Sequence, residues 1–335
     1  MPKTIFEKKN VLVTGGAGFI GSHLCDELVK KSKVICVDDF VTGSEGNIDH
    51  LLQNPNFEFI KHDLAEPLGF KKYRELAKFK IDFQGIQEIY HLACPTSPKD
   101  FEKNRISTVL ANSAAMRNAL DLAVKYKAKF MQFSSAVVYG SRDAQHPFVH
   151  ETDLGIVDQL SPRACYDEGK RFAETMTNTY SEVHGLDAKI VRIFRTYGSR
   201  MELDGGHMLP DFILAALNNK PLEIYGDERF STSLCHVSDI VAGVLKVMKS
   251  AYRKPVNLGS NEEHTLVDVA KTVISMTGSK SQISFKKPLL FMSPLPMPQI
   301  TLAKEKFGWF PITRLEDGLK EIIDYFKAER VRVGS

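Results

Sequence analysis

KNVLVTGGAGFIGSHLCDELVKKSKVICVDDF, residues 9–40, decides the fold. Val11–Val13 form a short apolar run, Gly15, Gly18 and Gly21 follow at three-residue intervals, an amphipathic stretch comes next, and a second apolar run, Val34–Val37, ends in Asp38. Strand, glycine turn, helix and second strand make a βαβ unit. Glycines there let the backbone approach a pyrophosphate, whose charge a helix N-terminus favours. An acid about 20 residues past the glycines accepts hydrogen bonds from the adenosine ribose and repels a 2′-phosphate, and no Arg or Lys directly follows Asp38 to reverse that preference. The expected cofactor is therefore NAD, with Gly15, Gly18, Gly21 and Asp38 among its contacts.

Outward from this unit, apolar runs recur at Phe57–Leu64, Ile86–Ala93, Lys129–Gly140 and Ala188–Gly198, each after a helical or loop segment. That alternation predicts an α/β fold, a Rossmann-type doubly wound parallel sheet, with a smaller mixed α/β lobe behind it. The expected division is 1–198 for the NAD-binding domain and 199–330 for a mainly substrate-binding lobe, some of whose segments return to the first. Ligands of such sheets bind at the strands' carboxyl ends, which makes Asp63, Leu64, Leu92, Ala93, Ser134 and Ser135 candidates, Ser135 before Ser134 because alternation turns one of them to the cleft.

Tyr166 and Lys170, in CYDEGK, lie four residues apart on a predicted helix and so share a face. An ammonium beside a phenol lowers the phenol's pKa from about 10 toward working pH, and the phenolate is then a general base for an alcohol proton. Together with a dinucleotide this predicts hydride transfer.

Composition fits an enzyme of this kind. The chain has 335 residues, 43% of them hydrophobic, enough for a large core. A net charge of +3, from 44 basic and 41 acidic residues without a long basic run, gives no case for nucleic acid. The five cysteines form no CxxC pair, so neither a disulfide nor a metal site is expected. MPKTIFEKKN has no hydrophobic signal core, no apolar stretch approaches a membrane span, and a cytoplasmic location is the default expectation.

TGGAGFIG, HLACP, SSAVVYG, YxxxK and RIFRTYG together resemble the extended short-chain dehydrogenases that modify nucleotide sugars, over nearly the whole chain. Within them, PRACYDEGKR, VDDFVTGSEGNI, PVNLGSNEEHTL and FGWFPITRLEDGL are most similar to the UDP-glucuronate decarboxylases. The resemblance implies tight NAD binding, oxidation of a sugar at C4 and usually return of the hydride, with a UDP-sugar as substrate. Tyr166 is then the base, Lys170 tunes it and holds the nicotinamide ribose, and Ser135 hydrogen-bonds the C4 oxygen. Phe19, Ile20, Asp39, Thr42 and Thr108 join the implied cofactor contacts. Ser135, Tyr166, Arg195, Asp211 and Arg229 are the candidate substrate contacts; Arg195, if it points into the cleft, could bind an anionic group such as a uronate carboxylate, the alternative being a salt bridge to a neighbouring acid. A homodimer through helices near 103–126 and 163–185 is implied as well.

Departures fall at the substrate. Decarboxylases of this kind carry Thr-Ser-Glu before VYG, where this chain has Ser135, Ala136 and Val137, and valine carries no proton. Pro296 stands about where their arginine would be, Arg195 replaces the asparagine of RIFNTYG, and Thr232 replaces the arginine after YGD, for which nearby Arg229 is a substitute. Glu151 or Asp153 could restore the missing acid. Three functions stay open: a nucleotide-sugar 4-epimerase or 4-dehydrogenase, which the intact base and missing acid favour; a decarboxylase of the UDP-glucuronate type; and a non-catalytic NAD-binding scaffold.

Overall fold

The computed structural model describes residues 8–96, 101–142, 147–203, 205–287 and 295–333. A seven-stranded sheet runs from edge to edge as Val256–Leu258, Ala188–Ile193, Lys129–Ser135, Glu88–His91, Asn10–Thr14, Lys33–Asp38 and Phe57–Lys61, and every neighbouring pair is parallel. From Asn10–Thr14 the chain winds first toward one edge and then, from the central strand Glu88–His91 on, toward the other. The strand order therefore reverses between Asn10–Thr14 and Glu88–His91, and a crevice opens there at the carboxyl ends.

Both faces are covered. Val11 and Val13 point into one core with Leu24, Cys25, Val241 and Val244, while Leu12 between them points into the other with Ile35, Ala119 and Phe130. This period of two, apolar on both sides, is what a sheet sandwiched by helices requires. A third core of Leu209, Phe212, Ile213, Leu222, Val269 and Phe326 forms the smaller lobe. Helix Val237–Lys249, strand Val256–Leu258 and Trp309 come from beyond residue 199 yet pack in the first unit.

Three strands stop earlier than their apolar runs suggest. The run Lys129–Gly140 leaves the sheet at Ser135, whose side chain accepts the Val137 N–H and caps a single 3-10 turn, Ala136–Tyr139. Gly140, at φ 76°, closes that turn, and a Cβ there would collide with the Ile156 carbonyl oxygen. Val137 is thus a turn residue, not a strand residue. Ala188–Gly198 breaks after Ile193 and resumes as Thr196–Tyr197, paired with Cys235–His236. Phe57–Leu64 ends at Lys61, so Asp63 and Leu64 sit in the following turn.

The helical stretch near 103–126 is two helices, Arg105–Ala111 and Ala114–Tyr126. At the joint, the Asn112 amide donates to the Thr108 carbonyl and the Ser113 hydroxyl to that of Val109, side chains competing with the backbone ladder. The joint packs on Gly169 of helix Ala164–His184, where a Cβ would lie 2.9 Å from the Asn112 amide nitrogen. That contact seats the helix carrying Tyr166 and Lys170. Among the described residues, no helix is long and apolar enough to cross a membrane.

Candidate active site

A cleft of about 810 Å³ lies over the strand ends at the reversal point. Its floor is the glycine turn. Gly15 has φ +72°, and a Cβ on it would lie 2.6 Å from the Ala93 amide nitrogen; a Cβ on Gly21 would strike the Gly15 carbonyl. Helix Phe19–Val29 starts at Gly18 with no side-chain cap and no acid in its first turn, so its first N–H groups are left for an anion in the cleft. Asp38 ends the second strand with its carboxylate pinned by the amides of Ala17 at 3.0 Å and Phe40 at 2.9 Å. Burial raises its pKa, and those two amides pull it back down. Phe19, Ile20, Asp39, Thr42, Asp63, Leu64, Leu92 and Ala93 complete this end of the cleft wall. Asp63 also accepts from the Ala65 amide at 2.8 Å, so it shapes the turn as well as the wall. Only side-chain-free backbone fits the floor, and the acid is fixed at the mouth, which is the arrangement a dinucleotide needs.

At the opposite end stand Ser135, Tyr166 and Lys170. The Lys170 ammonium donates to the Phe133 carbonyl at 3.0 Å and lies 5.7 Å from the centre of the Tyr166 ring. Burial pushes the Tyr166 phenol above its ordinary pKa; the Lys170 charge, the Ser135 hydroxyl and the Arg163 charge oppose that. Lys170 acts in the expected sense but does not by itself overcome burial. The two serines divide as alternation requires: the Ser134 hydroxyl donates to Glu174 at 2.5 Å, while Ser135 hydrogen-bonds Tyr166. Glu174 in turn holds Arg192 through two hydrogen bonds, of 2.9 and 2.7 Å, which anchors the end of the serine strand.

Other expected residues lie elsewhere. Thr108 is fully buried and its hydroxyl donates to the Asn104 carbonyl inside its own helix; its neighbour Ser107 lines the cleft instead. Arg229 is outside the cleft, its side chain 87% exposed and paired with Asp227 at 3.0 Å, so it does not replace the arginine missing at Thr232. Thr232 donates to the Ser233 carbonyl. Asp211 is exposed in the first turn of helix Met208–Leu217 and does not line the cleft. Glu151 accepts from the Asn257 amide at 3.0 Å and Asp153 from the His150 amide at 2.8 Å, so neither carboxylate reaches the cleft. Val137 does line it.

Sequence reasoning missed a group of titratable residues in the cleft wall: Arg163, Arg200, Glu202 and His207. Arg163 was within reach, since it precedes Tyr166 by three residues and so shares its helix face. The others come from the crossing between the two units, which has no periodicity. Burial and the nearby Arg195 charge hold His207 down to about 4, a neutral imidazole. Arg195 itself, from the loop after strand Ala188–Ile193, enters the cleft as expected.

The family model for the NAD dependent epimerase/dehydratase family matches residues 11–259. UDP-glucuronic acid decarboxylase 1 of Danio rerio is 40% identical over 324 residues, 96% of this chain and 74% of that protein. UDP-glucuronic acid decarboxylase 4 of Arabidopsis thaliana is 40% identical over 318 residues, 95% of this chain and 68% of that one. Among solved structures, UDP-glucuronic acid 4-epimerase of Bacillus cereus in complex with UDP-glucuronic acid and NAD superposes with a TM-score of 0.80 at 28% identity, covering 96% of this chain and 99% of that one. UDP-glucose 4-epimerase of Thermotoga maritima with UDP-glucose gives 0.83 at 26% identity, with the same coverage.

Proposed function

The chain belongs to the NAD-dependent epimerase/dehydratase family and is an NAD-dependent enzyme, and from that premise we propose that it is a nucleotide-sugar 4-epimerase or 4-dehydrogenase acting on a UDP-sugar. The observation that carries this reading is the intact set Ser135, Tyr166 and Lys170 beside a cleft wall in which the next side chain is Val137. Ser135 hydrogen-bonds the C4 oxygen, and Tyr166, as phenolate, takes the C4 hydroxyl proton. Lys170 stabilises the phenolate, and the Glu174–Arg192 pair keeps the serine strand in place. NAD, when bound, accepts hydride from C4 and can return it. Nothing in that sequence needs a carboxylic acid next to Ser135, whereas loss of carboxylate or water does. Family membership also displaces the scaffold reading.

Similarity to proteins named decarboxylases, at 40% identity, supports decarboxylation of UDP-glucuronate as the second reading. The two separate on one experiment. Protein supplied with NAD is incubated with UDP-glucuronate and followed by proton NMR and by absorbance near 340 nm. UDP-galacturonate, or lasting absorbance of reduced cofactor, supports our reading; UDP-xylose or its 4-keto precursor overturns it. A cytoplasmic homodimer belongs to the same proposal: Ile106, Val109, Phe172 and Val183 are exposed on the helices Arg105–Ala111 and Ala164–His184 and offer an apolar seam for a second copy. Light scattering at micromolar concentration tests it.

A further inference from the structure

Four arginines around the chemical end of the cleft differ in one respect. Arg163 pairs with Asp167, Arg192 with Glu174 and Arg200 with Asp26. Arg195, half-buried in the same wall, has no side-chain hydrogen bond or ion pair among the described residues, and Glu202, which shares the cleft, does not neutralise it. A half-buried guanidinium that opens on the cleft with no counter-charge beside it is placed to take an anion there, which would complete its hydrogen bonds.

Its place says which anion. In the sheet Ser135 stands beside Ile193, and Arg195 follows two residues on, in the loop by which the chain leaves that strand into the cleft wall. The charge of Arg163 acts on both Tyr166 and Arg195, so Arg195 belongs to the end of the cleft where the base works. If Tyr166 and Ser135 address C4, its ring neighbours are C3, which bears a hydroxyl, and C5, and of the two only C5 carries a substituent that can be anionic. The diphosphate hangs from C1, across the ring.

We infer that Arg195 is a specificity residue that pairs with an anionic C5 substituent, a carboxylate, so that the enzyme selects nucleotide hexuronates over neutral nucleotide hexoses. This rests on the reading of Ser135 and Tyr166 as the site of C4 oxidation. A fork of parallel N–H donors on a planar carboxylate explains why arginine serves here and why asparagine, which is uncharged, would not.

The test is equilibrium binding, which needs no turnover. UDP-glucuronate and UDP-glucose are titrated calorimetrically into NAD-loaded Tyr166→Phe protein, with and without Arg195→Gln. Both ligands carry the same diphosphate, and only one carries the carboxylate. Arg195→Gln should weaken UDP-glucuronate about tenfold or more and leave UDP-glucose within about twofold, the retained UDP-glucose binding showing that the cleft is intact. Arg195→Lys, which keeps the charge, should recover part of the uronate preference. Equal loss for both ligands would assign Arg195 to the diphosphate, and no loss for either would leave it without a ligand; each overturns the inference. Uronate-selective binding without turnover at C4 would instead keep Arg195 and reject the proposed reaction.

Discussion

Replacing Lys170 with methionine keeps most of the side chain's volume and removes one charge. With the ammonium 5.7 Å from the centre of the Tyr166 ring, Coulomb's law at an effective dielectric of about 20 gives about 3 kcal/mol, or roughly two pH units, of support for the phenolate. The base must be deprotonated to act, so activity rises with pH through its pKa, and removing a neighbouring cation moves that rise to higher pH. The Lys170→Met protein, saturated with NAD and sugar nucleotide, should therefore show the ascending limb of its kcat–pH profile displaced upward by about two units, with activity near neutral pH down by about a hundredfold. The assay is a stopped time course read by NMR, at half-unit steps from pH 6 to 10. Because burial already raises Tyr166, the limb should be moved and not abolished, with much of the activity returning at the alkaline end. A uniform fall in kcat with the limb unmoved would refute the argument and confine Lys170 to holding the cofactor.

Gly15→Ala should empty the protein of NAD: a left-handed backbone costs an alanine about 1–2 kcal/mol, and its Cβ would in addition sit 2.6 Å from the Ala93 amide nitrogen. Cofactor released on denaturation measures this, and a full complement would contradict it. Glu174→Gln should destabilise the fold by about 3 kcal/mol, because Arg192, only 11% exposed, is left without its carboxylate; a urea midpoint within error of wild type would show that the pair contributes nothing. Acid should weaken the fold through His91 and His207, held down to about 3 and about 4. The unfolded chain takes up a proton at each near pH 6.5 and the folded chain does not until far lower, so stability falls as pH falls in that window, by about 1.4 kcal/mol per unit for each histidine. His91→Gln should reduce the slope of unfolding free energy against pH between 6.5 and 5 by about one proton, and an unchanged slope would mean that His91 protonates in the folded state.

Residues 9–40 carried enough to place the first two parallel strands and the NAD site, because a βαβ unit is a local object. Its strand period, its glycines and its acid all lie within one turn of the chain, and the backbone they demand is set by Gly15 and Asp38 directly. Tyr166 and Lys170 were legible for the same reason, four residues apart on one helix. What misled was periodicity at strand ends: SSAVVYG and RIFRTYG stay apolar after the ladder has stopped, and a β-branched run says nothing about where Ser135 will turn away to cap the next residues. Thr108 failed because a helix shows one face to the cleft, and only its packing against the Tyr166 helix chose Ser107 over its neighbour.

Sequence by itself determined the parallel sheet, the dinucleotide cradle and the placing of Tyr166 and Lys170 on one helix face, each written in short-range spacing that backbone geometry converts to structure without help. Tertiary structure decided the charge balance of the substrate end. Whether an arginine is a salt-bridge partner or an open cation depends on which carboxylates fold to within about 4 Å of it: Asp167 and Glu174 reach Arg163 and Arg192 from helix Ala164–His184, Asp26 reaches Arg200 from helix Phe19–Val29, and none of the described residues reaches Arg195. Only the Arg163–Asp167 pair, four residues apart, is written in spacing along the chain; the others are settled only once the elements have packed, because electrostatic energy falls with distance.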